Sequence, residues 1–321
     1  MAAVTIAEFQ NLIDPAVQKH FFEALEENNP SLDGFIKSGT QEVYNHKEQN
    51  YAGLGSLSAI AEGEVYPAES FLETYSTTYT PIKYGGRVQI SYETQLFERM
   101  DLVAQAPKEA GAAAARKKQE VASSLYKNGF TNASTSYGDG DPLFSVEHAR
   151  ADGQGNISNA SGSGITFTEA NLETGILAME SAVSDKGKIL NVFADSILLP
   201  PALRKEAVVI LKSTNRSGTA DNDTNAYNAS LHKMEGSIPN IWIWKYLGAF
   251  AGGSDTAWYL LDSQNHKITM LEADKVSVEK DVSNGFVNDI MEWKVRVMWS
   301  TGWSDFRGAW GSKGDSAAYT D

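Results

Sequence analysis

Apolar positions recur at helical spacing in some stretches of the chain and alternate with polar ones in others. From Pro15 onward, Val17, Phe21 and Leu25 mark one helical face, which Asn28, Asn29 and Pro30 end. The segment from Ser31 to Tyr51 is polar and weakly periodic. With one short stripe to bury, the first 52 residues are expected to stay mobile or, the preferred reading, to lie on a surface other than their own subunit. Between Gly53 and Ser91 the pattern turns strand-like, at Glu64 to Pro67, at Phe71 to Thr80 and at Arg87 to Ser91, with Gly85 and Gly86 as a turn signal. Such a hairpin-like excursion is marginal in water without a surface to pack on.

The strongest helix expectation runs from Tyr92 to Lys127, contains Ala112 to Ala115, and stops at Asn128 and Gly129. Pro107 and Gly111 are expected to break it, leaving a clean rod from Pro107 to Lys127, roughly 30 Å at about 1.5 Å per residue. Thr131 to Thr166 reads as loop, and its Gly/Ser/Asn-rich part from Asp152 to Gly164 as a linker. An alternating α and β unit follows. Thr168 caps a helix with Leu172, Ile176, Met179 and Val183 on one face, ended by Lys186 and Gly187. A strand from Ile189 to Leu199 leads to Pro200 and Pro201, which start a helix with Leu203, Ala207, Ile210 and Leu211 inward. Strands are expected at Ile241 to Tyr246 and Trp258 to Leu261. Near the end, Trp293, Val295, Val297 and Trp299 alternate with Lys294, Arg296, Met298 and Ser300, the period of a half-buried strand.

Charge narrows the function more than composition does. The 321 residues carry 27 Lys and Arg against 41 Asp and Glu, a net charge of −14, which disfavours a protein that grips nucleic acid through a basic face. There is no Cys, hence no disulfide framework, thiolate nucleophile or zinc ribbon. No apolar run is long enough to span a membrane, and the N-terminus lacks a signal-peptide pattern.

The search for chemistry yields no catalytic, cofactor or metal site. Ser124 and Lys127 match an S-x-x-K spacing without the companion motifs of a serine acyl enzyme. Asp221, Asp223 and Asn225 resemble the opening of a calcium loop, but its sixth and twelfth positions are Ala226 and His232 instead of Gly and Glu. Asp139 and Asp141 read as turn residues, and His148 is the one histidine near such an acidic cluster. The other four, His20, His46, His232 and His266, are scattered. Seven Trp offer either a sugar-stacking platform or core and interface anchors, and the alternation around Trp293 and Trp299 favours the anchors.

Three stretches carry a resemblance to a known family: Lys83 to Glu93 leading into the long helix, Gly138 to Ser145 with His148, and Leu198 to Leu203 with Trp242. Their order and spacing resemble the tailed-phage major capsid proteins of the Hong Kong 97 fold, in particular the Mu-type head-subunit branch. The resemblance implies an α+β fold with an N-arm at 1–52, an E-loop at 53–91, a P-domain spine helix and loop at 92–165, an A-domain at 166–275 and a P-domain C-terminal strand region at 276–321. It implies a non-enzymatic shell protein that self-assembles into pentamers and hexamers of an icosahedral phage head. That head encloses double-stranded DNA without sequence-specific binding. Synthesis in the host bacterial cytoplasm and residence in the virion capsid follow from the same resemblance. The arm leaves no room for a cleaved scaffolding segment, so a separate scaffold or protease is implied, with a portal and decoration proteins as further partners. Some relatives cross-link Lys to Asn between subunits; Lys83 lies near the ribbon, but no Asn partner or catalytic Glu is identifiable. An encapsulin-like nanocompartment shell and, from another class, a glycan-binding protein are the alternatives.

Overall fold

The computed structural model describes residues 6–53, 57–66, 68, 72–91, 93, 97, 100–131, 137–215, 223–228, 238–281 and 290–317. Its helices are α1 (Ile6–Glu27), α2 (Met100–Lys127), α3 (Glu169–Glu180) and α4 (Arg204–Leu211). Its strands are β1 (Lys37–Thr40), β2 (His46–Ala52), β3 (Leu72–Tyr79), β4 (Ile82–Ser91), β5 (His148–Ala149), β6 (Asn156–Ile157), β7 (Ser196–Leu199), β8 (Asn240–Ile243), β9 (Trp258–Leu261), β10 (Ile268–Asp281), β11 (Ile290–Trp303) and β12 (Ala309–Ser312).

Two four-stranded sheets share one long helix. The first has the order β1-β10-β11-β4 and is antiparallel except where β1 runs parallel to β10. The expected alternation on β11 holds from Trp293 to Trp299, where Trp293, Val295, Val297 and Trp299 are buried, Lys294 is exposed and Arg296 and Met298 are half-buried, but Ser300, expected outward, is buried against Gln41. In the second sheet, β12-β9-β7-β8, the strands β12, β9 and β7 are buried on both faces, and the outer strand β8 is partly exposed. Ile197, Leu199, Trp258, Leu260 and Trp310 pack with Leu172, Ile176 and Met179 of α3 and Ala207 and Leu211 of α4. Leu198, Tyr259, Leu261 and Ala309 point the other way, onto Tyr126 of α2 and onto Phe130 and Phe144. A strand buried on both faces reads as an unbroken apolar run, which is why this lobe shows so plainly in the sequence. Thr168 caps α3 as expected, its hydroxyl accepting from the Asn171 amide, although the helix ends at Glu180, before Lys186. The strand expected from Ile189 is ladder only from Ser196 to Leu199.

The N-terminal segment departs most from the sequence reading. The helix begins well before Pro15 and buries Val17, Phe21 and Ala24 on its own chain. Val17 packs with Ile90 and Trp293, and Phe21 with Ala114 and Val295, so α1 lies on α2 and on the sheet beside it. Downstream, Leu32, Phe35 and Ile36 enter the main core, where the Phe35 ring sits 5.7 Å from Trp242 and 4.9 Å from Trp244. A short stripe suffices because Gly111 lets the two helix backbones close up; a Cβ there would stand 2.3 Å from the Phe21 carbonyl oxygen. Gly111 is therefore a crossing point and not a break.

Other expectations are corrected in the same way. Pro107 sits inside α2, which runs unbroken over 28 residues, about 42 Å at 1.5 Å per residue, because packing on both sides outweighs one missing hydrogen bond. The helix does stop at Asn128, but Gly129 is not left-handed; it is small because a Cβ would meet the Phe144 ring at 2.8 Å and the Leu125 carbonyl at 2.9 Å. Gly85 and Gly86 form no turn: they lie mid-strand in β4, paired with Arg296 and Val295. The ribbon is β2 with β3, and β4 belongs to the first sheet. Glu64 to Tyr66 form no strand, and Pro67 lies outside the described residues. The stretch from Asp152 to Gly164 is not a free linker, since β6 pairs with β5 and Ile157, Asn159 and Ala160 are buried.

The Gly111 crossing generates a stability prediction. Ala in place of Gly inside a helix ordinarily stabilises by about 1 kcal/mol. Gly111→Ala should instead destabilise by about 1–3 kcal/mol through the clash with Phe21. Thermal unfolding and limited proteolysis of residues 17–27 read the effect, with α1 cleaved faster in the variant.

Candidate assembly surfaces

The ribbon is fastened at its root and bare at its tip. At the root Tyr79 is buried, Thr77 donates its hydroxyl to the Trp303 carbonyl at 3.1 Å, and the Gly138 amide donates to that hydroxyl at 3.0 Å. Gln41 braces the same point: its Nε2 donates to the Tyr79 carbonyl at 3.0 Å and its Oε1 accepts from Ser300. Past Ala52, which is still buried, the described residues turn outward. On the connecting loop Leu57, Val65 and Tyr66 are 92%, 87% and 80% exposed, and Tyr51 on the ribbon is also open to water. Side chains of this size left in solvent make this loop a candidate contact surface.

A second open surface lies along β4, the last strand of its sheet. Between this edge and α2 runs a groove of about 340 Å³, floored by Val88, Ala110, Ala113, Ala114 and Val295, with Arg87 and Lys117 at its rim. Among the described residues β4 is the outer strand of its sheet, and an outer strand can template a further one. The sheet face opposite the helices carries a lattice of charges. Lys294 lies 2.7 Å from Glu279, Arg296 lies 3.0 Å from both Asp274 and Glu279, and Arg87 lies 3.4 Å from Glu292. The hydrogen bond from Lys294, with the Arg296 charge behind it, holds the Glu279 carboxyl below its ordinary range. The solvent-facing pairs, Lys294 with Glu279 among them, orient a surface more than they stabilise it, whereas Glu292 is buried beneath Arg87.

One cluster foreseen as loop chemistry comes together in space. Asp139, Asp141 and His148 bring one ligand atom each within 4.8 Å of one another. His148, however, is fully engaged: Nδ1 lies 2.7 Å from Asp139 Oδ2, Nε2 lies 3.1 Å from Asn159 Oδ1, and the ring stacks on Phe306 at 3.7 Å. Asn159 is fixed in turn, its Nδ2 donating to the Leu143 and Phe306 carbonyls and its Oδ1 accepting from the Ser145 amide. With both ring nitrogens occupied, the cluster pins the Gly-Asp loop to the segment after β11, and Gly138 closes the seam against the Trp303 ring, where a Cβ would come within 2.0 Å.

Comparison with known proteins decides what these surfaces belong to. A family model described as phage capsid protein matches residues 74–312. The chain belongs to the phage capsid protein family. The fold of this capsid protein is the Hong Kong 97 fold of tailed-phage heads. It superposes on the mature capsid of bacteriophage PhiM1 with a TM-score of 0.57 at 12% identity, covering 89% of this chain and 87% of that one. A structure from Gordonia phage Cozz gives 0.51 at 12% identity, with 87% and 84% covered. One from Mycobacterium phage Adephagia gives 0.51 at 12% identity, with 89% and 90% covered. A search of curated proteins finds no match.

The remaining candidates take structural places in the capsid protein. Ser124 donates to the Val121 carbonyl and Lys127 to the Ala251 carbonyl, so the S-x-x-K pair serves the end of α2. Asp221, Asn222 and His232 lie outside the described residues; Asn225 is buried, its amide donating to the Ile210 and Ser213 carbonyls. Six of the seven Trp are buried and Trp242 is half-buried, which removes the sugar platform. Lys83 stands exposed on β4. His46 is exposed on the ribbon and His20 half-buried on α1.

His266 is the functional-looking residue that sequence reasoning passed over. It is wholly buried, and neither ring nitrogen has a hydrogen-bond partner among the described residues. Burial, helped by the Lys37 charge, pushes its pKa down to about 4. Because the unfolded chain takes up this proton near pH 6.5, stability is full above that pH and declines as pH falls toward 4, by roughly 3 kcal/mol in total. His266→Leu should flatten this part of the profile, as read by urea unfolding at pH 7 and pH 4.5.

Proposed function

We propose that this phage capsid protein builds the head shell as pentamers and hexamers around double-stranded DNA, each copy reaching its neighbour through the ribbon. The carrying observation is the contrast between a body that buries its own core and a ribbon tip that presents Leu57, Val65 and Tyr66 to solvent. Cyclic rings arise when one patch of a subunit meets a different patch of the next, and the ribbon tip and the open β4 edge are two such patches. On this reading residues 1–52 are the N-arm, 53–91 the E-loop, 92–165 the spine helix and loop, 166–275 the A-domain and 276–321 the closing strand region. A role without catalysis agrees with a His148 cluster whose members bond to one another. The Mu-type branch, a separate scaffold or protease, a portal and decoration proteins, and synthesis in the host cytoplasm belong to the same proposal.

Removing residues 57–66 should leave the melting temperature of the body within a few degrees of the parent and abolish shell formation, judged by light scattering and electron microscopy. Intact shells from that variant would sink the ribbon's role. Charge gives a second expectation. A chain of net charge −14 should bind duplex DNA weakly at physiological salt, so that a filter-binding titration detects no tight, salt-sensitive complex.

A further inference from the structure

The ribbon also meets the body at a buried charged junction that draws on three separate segments. Arg307, in the connection from β11 to β12, has a side chain only 9% exposed. Its Nε donates to the Val183 carbonyl at 3.2 Å, its Nη2 pairs with Asp185 Oδ1 at 2.9 Å, and its Nη1 reaches the Tyr75 hydroxyl at 3.0 Å and Asp305 Oδ1 at 3.2 Å. The guanidinium lies 4.7 Å over the Phe306 ring. The Tyr75 hydroxyl in turn stands 3.3 Å from Asp305 Oδ1, so it accepts from Arg307 and donates to Asp305. Tyr75 is in β3 of the ribbon, whereas Val183 and Asp185 follow α3 in the α/β lobe.

We propose that Arg307, through Tyr75, is a latch that fixes the angle at which the ribbon leaves the body and couples that angle to the α/β lobe. The inference rests on the reading of the ribbon as the arm that reaches a neighbouring subunit. A two-stranded ribbon has no core of its own, so its direction is set by its anchors. The Thr77 anchor and the bond from Asn50 to the Ser304 carbonyl both end on the close of β11 and the residue after it, and the Gly138 amide adds the Gly-Asp loop. The Arg307 junction adds the lobe, because one planar guanidinium holds Tyr75 on one side and Asp185 and Val183 on the other.

The chemistry of the junction explains why it is a tyrosine. One guanidinium serves two carboxylates, Asp185 and Asp305, so the site carries an excess of negative charge. Burial raises the Asp305 carboxyl above its ordinary range, with the Asp185 charge adding to it and Arg307 opposing. Burial and the Asp305 charge likewise raise the Tyr75 phenol far above its usual value, which keeps its proton in place as a donor to Asp305. A phenylalanine would fill the same volume and leave both the guanidinium and the carboxylate short of one bond. The ribbon's tie to the lobe then runs through the Tyr75 hydroxyl, and a shift of the lobe relative to the first sheet is passed to the ribbon through Arg307.

The test compares hydrogen exchange in the unassembled full chain with exchange in Tyr75→Phe. Exchange in β2 and β3 should rise about tenfold, the size expected for losing a hydrogen bond to a charged partner, while β7 and β9 of the lobe keep their parent rates. Asp185→Asn, which keeps the shape but weakens the lobe side, should accelerate the same ribbon amides. Unchanged ribbon exchange in both variants overturns the latch, as does a parallel rise in ribbon and lobe, the mark of general destabilisation. Because exchange is read before assembly, the result stands apart from shell formation. Electron microscopy of the same samples then judges the shell reading, with irregular particles expected from Tyr75→Phe where the parent gives uniform ones.

Discussion

The last turn of α2 carries Tyr126 into a space that both sheets must share. Its ring lies 5.2 Å from Tyr259 of the second sheet and 6.4 Å from both Phe144 and Trp244. Its hydroxyl bonds to the Phe35 carbonyl from the N-terminal segment, and its own carbonyl accepts from the Tyr259 hydroxyl at 3.1 Å. Three regions far apart in sequence are thus tied to one residue. Burial raises both phenols well above their ordinary values, so both stay protonated donors at any pH the fold survives. Aromatic groups of this size contribute mainly by the apolar area they remove from water, and here they lie between the two sheets.

With the body closed around that junction, the surplus of the chain becomes visible. The helix α1, which looked too weakly apolar to bury itself, is absorbed by the Gly111 crossing and the first sheet. Among the described residues the ribbon tip is not absorbed, and β4 stands as the outer strand of its sheet. A monomer would ordinarily shield a long flat edge and exposed apolar side chains, because they invite association. In a shell protein association is the function, and in the proposed function these features are contacts between copies.

Sequence reasoning read most directly those parts whose burial is two-sided or strictly alternating. The run from Ile197 to Leu199, the strand from Trp258 to Leu261 and the alternation from Trp293 to Trp299 announce their environment residue by residue. It misread elements whose place depends on a partner distant in sequence. Gly85 and Gly86 look like a turn and become mid-strand because β11 supplies the pairing. Pro107 and Gly111 look like helix breakers and become part of one rod because α1 and the sheet pack around it. The same holds for the candidate sites. Asp139, Asp141 and His148 were visible as a cluster, but the Asn159 and Phe306 contacts that give His148 a structural role come from other segments. Arg307 gave no local signal, as its partners Tyr75 and Asp185 lie more than a hundred residues away.

The central claim is that the ribbon tip finds its burial on another copy of this chain. Cryo-electron microscopy of the full-length protein, concentrated until it assembles, tests it directly by showing where residues 57–66 lie. The account predicts closed shells, or free pentamers and hexamers, in which Leu57, Val65 and Tyr66 are covered by the adjacent subunit. Assemblies in which that loop stays in solvent, or a uniform monomer at every concentration with scaffold supplied, would contradict it.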